Sequence, residues 1–241
     1  MFSARSDTHV RVGIMVLVLL GITSGLWARE DARYQYRLGR ASEVRPQRLS
    51  EKPERLDFEI FEDPEFSDAG VVSILEYHVV YPLEAEELLA AITAYDDYAD
   101  ISRRVVESDA RQAEGEPPYE PVGTVRERHE ALMRTSFKFL FFGRDYDYEL
   151  ASMTEELDDG ELLVRSRMTR SLDGGLADMY YSWYLKPLPA QSGEERTYVR
   201  YFTRVDFAEE PRGLRTALDL FAGSDAERLL ESIYRYARTG R

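Results

Sequence analysis

The order of sequence patterns from Val71 to the C-terminus restricts the fold more than any other feature. An alternating strand pattern comes first, and the stretch PLEAEELLAAITAYDDYADI after it has the apolar spacing of two short helices. About a hundred residues of mostly alternating pattern follow, and an amphipathic helix closes the chain. The order predicts an α+β helix-grip fold, in which a curved antiparallel sheet of six to seven strands wraps around a long C-terminal helix.

Turn signals divide the long alternating run into consecutive hairpins. Asp158-Asp159-Gly160 and Asp173-Gly174-Gly175 mark two of these turns. The apolar sequence FKFLFFG at 137–143 predicts a strand end that is buried on both faces, and Gly143 predicts a bulge or bend. In the final helix, Gly223 predicts an interruption, after which Ser224 and Glu227 form a capping-box pattern that restarts the helix.

The N-terminal region divides into two further segments. Two arginines, Arg5 and Arg11, precede the uncharged apolar stretch 12–28, which fits a signal peptide cleaved after Ala28. An uncleaved N-terminal anchor is the alternative, and either reading predicts an exported, periplasmic or extracellular protein. We therefore expect a signal or anchor at 1–28, a linker and extended arm at 29–65, and the main domain at 66–241. The alternation at 56–65 is that of a strand or an extended arm.

Composition and missing motifs exclude several classes of function. The net charge of -14 argues against a nucleic-acid partner, because binding phosphates requires a basic surface. The chain has no cysteine, so disulfides, thiolate metal sites and cysteine nucleophiles are excluded. No G-x-S-x-G, P-loop or G-x-G-x-x-G motif occurs, and His78 and His129 lack metal-ligand spacing. We expect no catalytic residue, no metal and no cofactor, and we interpret Asp96, Asp97 and Asp100 as a solvated helix start.

Two parts of the chain resemble a known superfamily. The first resembles the opening of the START-like (SRPBCC) superfamily through Pro82, Ala85, Leu88, Leu89, Ile92, Tyr95, Tyr98 and Ile101. The second resembles its paired late strands through Trp183, Leu185, Pro187, Thr197 and Tyr201. Polyketide-cyclase-like, coenzyme-Q-binding-like and START lipid-binding proteins are the related groups. The resemblance implies a cavity for a hydrophobic ligand between sheet and helix, and it transfers no catalytic residue.

The expected lining of this cavity is aromatic on the sheet side and apolar on the helix side. It consists of Tyr146, Tyr148, Tyr181, Trp183, Tyr201, Leu218, Phe221 and Ile233. The same residues can also fill a solid core, so both readings stay open. Six arginines alternate with apolar residues along the strands: Arg126, Arg128, Arg134, Arg165, Arg167 and Arg200. We expect a charge-paired outer face with Glu127, Glu130 and Asp147; the alternative is one inward arginine that holds a ligand's carboxylate or phosphate.

These observations favour an exported, non-enzymatic domain that binds a lipid, quinone or isoprenoid, with the C-terminal helix and the loop 112–123 as gates. One alternative is a cyclase- or hydratase-like enzyme that uses Tyr, His or Arg in the pocket. The other is a structural or interaction module with a filled cavity. Transient contact with a membrane stays open, and the sequence does not identify a protein partner.

Overall fold

The computed structural model describes residues 44–62, 70–114, 119–139, 142–191 and 193–240. The described strands are β1 (Glu54–Phe61), β2 (Val71–Tyr81), β3 (Val105–Gln112), β4 (Thr124–Phe139), β5 (Phe142–Glu156), β6 (Leu162–Ser171), β7 (Leu176–Gln191) and β8 (Glu194–Phe207). The α-helices are α1 (Ala85–Ile92), α2 (Tyr98–Ile101) and α3 (Leu214–Thr239). Eight strands form one antiparallel sheet in the order β1-β2-β8-β7-β6-β5-β4-β3. The predicted helix-grip arrangement is therefore confirmed.

The eighth strand comes from the segment predicted as a strand or an extended arm. Here β1 pairs antiparallel with β2 at the edge of the sheet, and Phe58 and Ile60 pack against the core. The remainder of this segment, from residue 63 onward, lies outside the described residues, as do the predicted signal or anchor 1–28 and the first part of the linker.

The described residues of the apolar run 137–143 lie on two paired strands, β4 and β5. Its two strands stay paired through Lys138↔Gly143 and Phe139↔Phe142, and the register does not shift there. The predicted bulge or bend at Gly143 is therefore wrong, and Phe137 is only half-buried where burial on both faces was predicted. The run contains no Pro, Asn or Asp, which would have indicated a turn, so its sequence predicts one continuous strand.

The prediction that α3 is interrupted at Gly223 is also wrong. The helix is continuous, and the Ser224 hydroxyl donates to the Phe221 carbonyl at 3.1 Å, so Ser224 does not cap a new helix. Gly223 lies instead against β2, where the Tyr77 hydroxyl donates to its carbonyl at 2.8 Å. A Cβ at Gly223 would lie 3.3 Å from that hydroxyl. The missing side chain therefore serves the packing of helix on sheet.

The first helices form as their sequence predicts. Glu84 and Glu87 make a capping box at the start of α1, in which the Glu84 amide donates to Oε2 of Glu87 at 3.2 Å. Leu88 and Ile92 bury the apolar side of α1. A 3-10 turn at Tyr95–Asp97 leads directly into α2. Among the described residues, no helix combines the length and the apolar character that a bilayer span requires.

Alternate side chains of the sheet point to two different faces. The inner face packs on α1 and α3 and forms most of the core, with Tyr77, Val79, Trp183 and Leu230 all buried. The second face, turned away from α3, is also buried on its central strands and holds charged side chains there.

Candidate ligand cavity

A cavity of about 200 Å³ lies between the inner face of the sheet and α3. Its walls come from β2, β4, β5, β7, β8, the residues just before β3, and α3. Most of the lining is apolar or aromatic and includes Leu75, Phe137, Tyr146, Tyr201, Phe207 and Leu218. The core between sheet and helix is therefore not solid.

A second cavity of about 140 Å³ adjoins the first along the sheet. The two cavities share lining residues, among them Thr135, Tyr148, Tyr201 and Leu229. The smaller cavity also reaches Trp183 at the centre of β7. Each cavity alone is smaller than the roughly 300 Å³ at which the usual range for small-ligand sites begins, and the two together reach the lower end of that range.

A larger groove of about 510 Å³ crosses β3 to β6 elsewhere on the sheet, and it has a different character. Its lining mixes Asp109, Arg111, Glu130 and Glu149 with a few apolar residues. Arg111 already forms an exposed ion pair with Glu130. A groove with exposed and paired charges does not shelter an apolar ligand, so the two inner cavities are the candidate site.

Six of the eight predicted lining residues border these cavities. The larger cavity is lined by Tyr146, Tyr148, Tyr201 and Leu218, and the smaller one adds Tyr181 and Trp183. Phe221 and Ile233 line neither. Ile233 is buried in the core and Phe221 is half-buried.

Small residues on α3 leave room for the larger cavity, and they were not among the predicted lining residues. Ala217, Ala222 and Ala226 line the larger cavity, on the same side of the helix as Leu214, Leu218 and Leu229. Their methyl groups leave open the volume that larger side chains would fill. Helical spacing of small residues between leucines is the signal that could have identified this wall.

An ion pair forms part of the lining of the larger cavity. Asp225 on α3 accepts hydrogen bonds from Arg104, from Nε at 2.8 Å and from a terminal nitrogen at 2.5 Å. Arg103 also binds the same carboxylate. Both Arg104 and Asp225 line the cavity, and the pair ties the residues just before β3 to the helix.

The tyrosines of the cavities are neutral near pH 7. Burial raises the pKa of Tyr146 to about 12. Burial also raises the pKa of Tyr201 to about 12, although a hydrogen bond with Thr203 opposes the shift. The pKa of Tyr148 is raised further by the same cause. Asp225 is the only carboxylate among the described lining residues, which include no histidine, and it is already paired with arginine.

The six strand arginines line neither cavity. Their main contacts are ion pairs with Asp and Glu side chains. Ion pairs join Arg134 to Asp147 at 2.7 Å, as predicted, Arg126 to Glu86 at 2.6 Å, and Arg167 to Asp178 at 3.9 Å. Arg104, which the sequence prediction did not include, is the arginine that lines the cavities. These strand arginines are therefore paired with carboxylates as expected, although several of their acidic partners are not the ones predicted.

Two of the six arginines are buried, which corrects the picture of an exposed outer face. On the second face, Arg200 binds Glu76 at 2.9 Å and Arg165 binds Glu155 at 2.7 Å. These four side chains are at most 3% exposed. A buried charge is tolerated only when it is paired, and strand alternation alone does not reveal the burial.

Both candidate histidines lie in structural contacts. His78 is buried on the second face, where it shares hydrogen bonds with Glu76 at 2.8 Å and with the Tyr198 hydroxyl at 2.5 Å. Burial alone would raise the pKa of Glu76, but the hydrogen bond with His78 and the charge of Arg200 hold that pKa below its ordinary value. His129 packs beside the Tyr95 ring. No group of three potential metal ligands occurs among the described residues.

The predicted helix-start aspartates are exposed, and two of them make hydrogen bonds. Asp96 accepts the Ala110 amide at 2.8 Å, and Asp97 accepts the Tyr236 hydroxyl. Asp100 is also exposed. These contacts hold the 3-10 turn and α2 against β3 and α3.

No protein-family model matches this sequence, and no curated protein does. Among solved structures, the chain is similar to a STAR-related lipid transfer protein from Xanthomonas axonopodis. The two sequences are 14% identical, the alignment covers 76% of this chain and 99% of that chain, and the TM-score is 0.51. It is also similar to the Zhui aromatase/cyclase from Streptomyces, with 14% identity, 69% and 94% coverage, and a TM-score of 0.48. Human STARD10 matches at 8% identity, with 75% and 74% coverage and a TM-score of 0.49.

The element order, the sheet that holds α3, and the match to the Xanthomonas structure agree with the resemblance seen in the sequence. At these identities the likeness concerns the fold, and the last two matches have TM-scores too low to add to the argument. This chain has the START-like (SRPBCC) helix-grip fold.

Proposed function

We propose that this protein binds an apolar small molecule, of the lipid, quinone or isoprenoid class, in the two adjoining inner cavities. The observation that carries the proposal is the lining: aromatic and aliphatic side chains surround the space, and the one carboxylate among its described residues is paired with arginine. Such a site favours apolar surface and offers no unpaired charge to an ionic ligand. The similar Xanthomonas structure, which is named as a lipid transfer protein, supports this ligand class.

Binding is better supported than catalysis. A cyclase or hydratase would require an acid–base pair that faces the ligand. The described lining offers neutral tyrosines and the paired Arg104 and Asp225 instead. The alternative of a filled structural module requires a solid core, whereas open space lies between sheet and helix.

We place the entrance at α3 and at the residues just before β3. Ser102, Arg104 and Asp225 lie there and line the larger cavity. The other predicted gate, the loop 112–123, is a poorer candidate, since its described part lines neither cavity. Its Val122 and Gly123 amides donate instead to Glu155 of β5, at 2.6 and 3.1 Å.

We also propose that binding takes place outside the cytoplasm. The support is the uncharged stretch 12–28 behind Arg5 and Arg11, which has the pattern of an export signal. Export suits a chain without cysteine, because no thiol is present to oxidise.

Titration with the fluorescent probe N-phenyl-1-naphthylamine tests the site. The probe should bind the wild type, and Ala226→Leu should weaken binding about tenfold or more, because the added carbons occupy the cavity that Ala226 lines. The melting temperature should stay equal or rise, since the new side chain fills empty space.

Ala237→Leu is the matched control. Ala237 lies on the same helix and packs on the core, but it lines neither cavity. It should leave probe affinity within about twofold, since it removes no space from the site. Equal affinity in wild type and Ala226→Leu would contradict the proposed site, and so would the absence of any bound apolar compound in solvent extracts of the purified protein.

A further inference from the structure

The two inner cavities follow one another along the strands of the sheet. On β5, Tyr146 and Tyr148 line the larger cavity, and Tyr148 and Leu150 line the smaller one. The same order occurs on β4, where Thr135 is shared between the two cavities. Because alternate residues of a strand share a face, the β5 residues are successive inward positions. The two cavities are therefore two parts of one elongated space that runs parallel to the strands.

A row of shared residues crosses this space and divides it. On β7, Leu176 and Met179 line the larger cavity, whereas Met179, Tyr181 and Trp183 line the smaller one. From the opposite wall, α3 contributes Leu229 to both cavities. Met179 and Leu229 therefore lie at the boundary, one on the sheet and one on the helix.

Met179 is the side chain of this row that can move most easily. The shared tyrosines are held by hydrogen bonds, Tyr148 with Thr135 and Tyr201 with Thr203. Met179 has an unbranched side chain with three rotatable bonds, which adapts readily to the shape of its surroundings. A ligand can therefore displace Met179 without breaking a hydrogen bond of the row.

The volumes indicate that a ligand has to pass this boundary. The cavities measure about 200 and 140 Å³, and each is smaller than a usual small-ligand site, which begins at roughly 300 Å³. A ligand of ordinary size needs both, and it can occupy both only when the boundary opens.

We propose that Met179 is a movable partition that determines ligand length, and that the ligand is a linear apolar chain, such as an acyl or isoprenoid chain, which lies along the strands. This inference rests on the proposed function and narrows its ligand class. The space extends from Tyr146 to Leu150 on β5 and from Tyr201 to Phe207 on β8, or roughly 14 to 20 Å at the usual rise of a strand. A compact ring system would fill one cavity and leave the other empty.

A series of 1-alkanols from hexanol to dodecanol tests the proposal on the full chain, by displacement of N-phenyl-1-naphthylamine. In the wild type, each added methylene should lower the Kd about three- to fourfold while the chain fills the larger cavity. The gain should fall below about twofold per methylene where the chain has to displace Met179, because moving the side chain offsets part of the gain from burial.

Two substitutions remove the partition from opposite walls. Met179→Ala should leave the Kd of hexanol within about twofold and should tighten dodecanol binding about fivefold or more, because no side chain has to move. Leu229→Ala should have the same effect from the helix. Leu229 is only half-buried, so this variant keeps the proposal testable if Met179→Ala does not fold.

Met168→Ala is the matched control. Met168 belongs to β6 and is buried in the core, but it lines neither cavity. The substitution removes the same atoms from the core at a place away from the boundary. The dependence of the Kd on chain length should therefore stay that of the wild type.

A spectroscopic measurement follows the partition directly in the wild type. The sequence has six methionines, and Met179→Leu identifies the signal of Met179 in methyl-¹³C-methionine spectra. Dodecanol should shift this signal strongly and hexanol much less, because only the longer chain passes the boundary. The Met168 signal should respond to neither alkanol.

The outcomes separate the two proposals. If neither N-phenyl-1-naphthylamine nor any alkanol binds, the proposed function fails, and this inference fails with it. If alkanols bind but Met179→Ala and Leu229→Ala keep the length dependence of the wild type, only the inference is overturned. The inference is overturned in the same way if Met168→Ala also favours the long chains, or if the Met179 signal responds equally to hexanol and dodecanol.

Discussion

At the scale of single residues, the contact between Gly223 and Tyr77 shows how α3 fits against β2. The Tyr77 hydroxyl donates to the Gly223 carbonyl, and a Cβ at Gly223 would lie 3.3 Å from that hydroxyl and 2.9 Å from Nη1 of Arg55. Arg55 can move its flexible end, whereas the buried Tyr77 ring cannot shift freely. One hydroxyl therefore keeps glycine in the middle of a helix, where alanine is otherwise better by about 1 kcal/mol.

This contact predicts a non-additive pair of substitutions. Tyr77→Phe should lower the free energy of unfolding by about 1 kcal/mol, the usual net value of one buried hydrogen bond. Gly223→Ala should destabilise the wild type but stabilise the Tyr77→Phe variant, because the hydroxyl that obstructs the methyl group is gone. Urea unfolding of the four proteins gives the coupling energy. Additive effects would show that Tyr77 is not the obstacle.

Residue by residue, the candidate site was predictable on the sheet and much less so on the helix. Strand alternation gives the face of each residue, so Tyr148, Tyr201 and Trp183 were placed correctly on the inner wall. On α3 the prediction chose large apolar residues, although the space exists because Ala222 and Ala226 are small. A cavity is set by missing volume, and a search for large side chains overlooks it.

At the scale of elements, Asp225 joins α3 to the residues just before β3. Its side chain is 12% exposed and binds both Arg103 and Arg104. An ion pair of this kind is worth about 1 kcal/mol at a mostly exposed site and more when it is partly buried. The contact can therefore set how often the proposed entrance opens.

Asp225→Asn should make exchange of N-phenyl-1-naphthylamine faster. Loss of the carboxylate weakens the link, so both the association rate and the dissociation rate should rise about 5- to 10-fold while the affinity changes little. Stopped-flow fluorescence measures both rates. Asp219→Asn is the control, since Asp219 is exposed on the same helix and forms no ion pair with any described residue. A rise in the dissociation rate alone would mean that Asp225 contributes to binding instead of gating.

The elements themselves follow the sequence closely, and the misses have local causes. β2 has the predicted bounds, since alternation and flanking turn residues agree there. The end of β4 was placed too late, because the apolar run at 137–143 has no Pro, Asn or Asp and its one glycine, Gly143, comes after β5 has begun. Gly223 was taken for a helix end because glycine usually weakens helices, whereas here it serves a tertiary contact.

At the scale of the whole molecule, the sheet separates two kinds of interior. The inner face holds neutral tyrosines and open space, whereas the second face holds paired charges such as Glu76 with Arg200. Alternation in the sequence tells which residues share a face, but it cannot tell whether that face is covered. The order of elements was therefore predictable, and the burial of the second face was not.

The proposed export of the whole chain has a test of its own. Signal peptidases favour small residues at the minus-three and minus-one positions, and the sequence before the proposed cleavage site has Leu26 and Ala28 there. Expressed in a bacterium with a periplasm, the chain should appear in the periplasmic fraction with a mass that lacks residues 1–28. Because Leu26 is larger than the site prefers, Leu26→Ala should increase the cleaved fraction, and Ala28→Arg should abolish cleavage. Intact-mass spectrometry of the periplasmic, membrane and cytoplasmic fractions decides between the outcomes. Full-length protein in the membrane fraction that is digested by a protease added from the periplasmic side identifies the uncleaved anchor. Full-length protein confined to the cytoplasm overturns the proposed export.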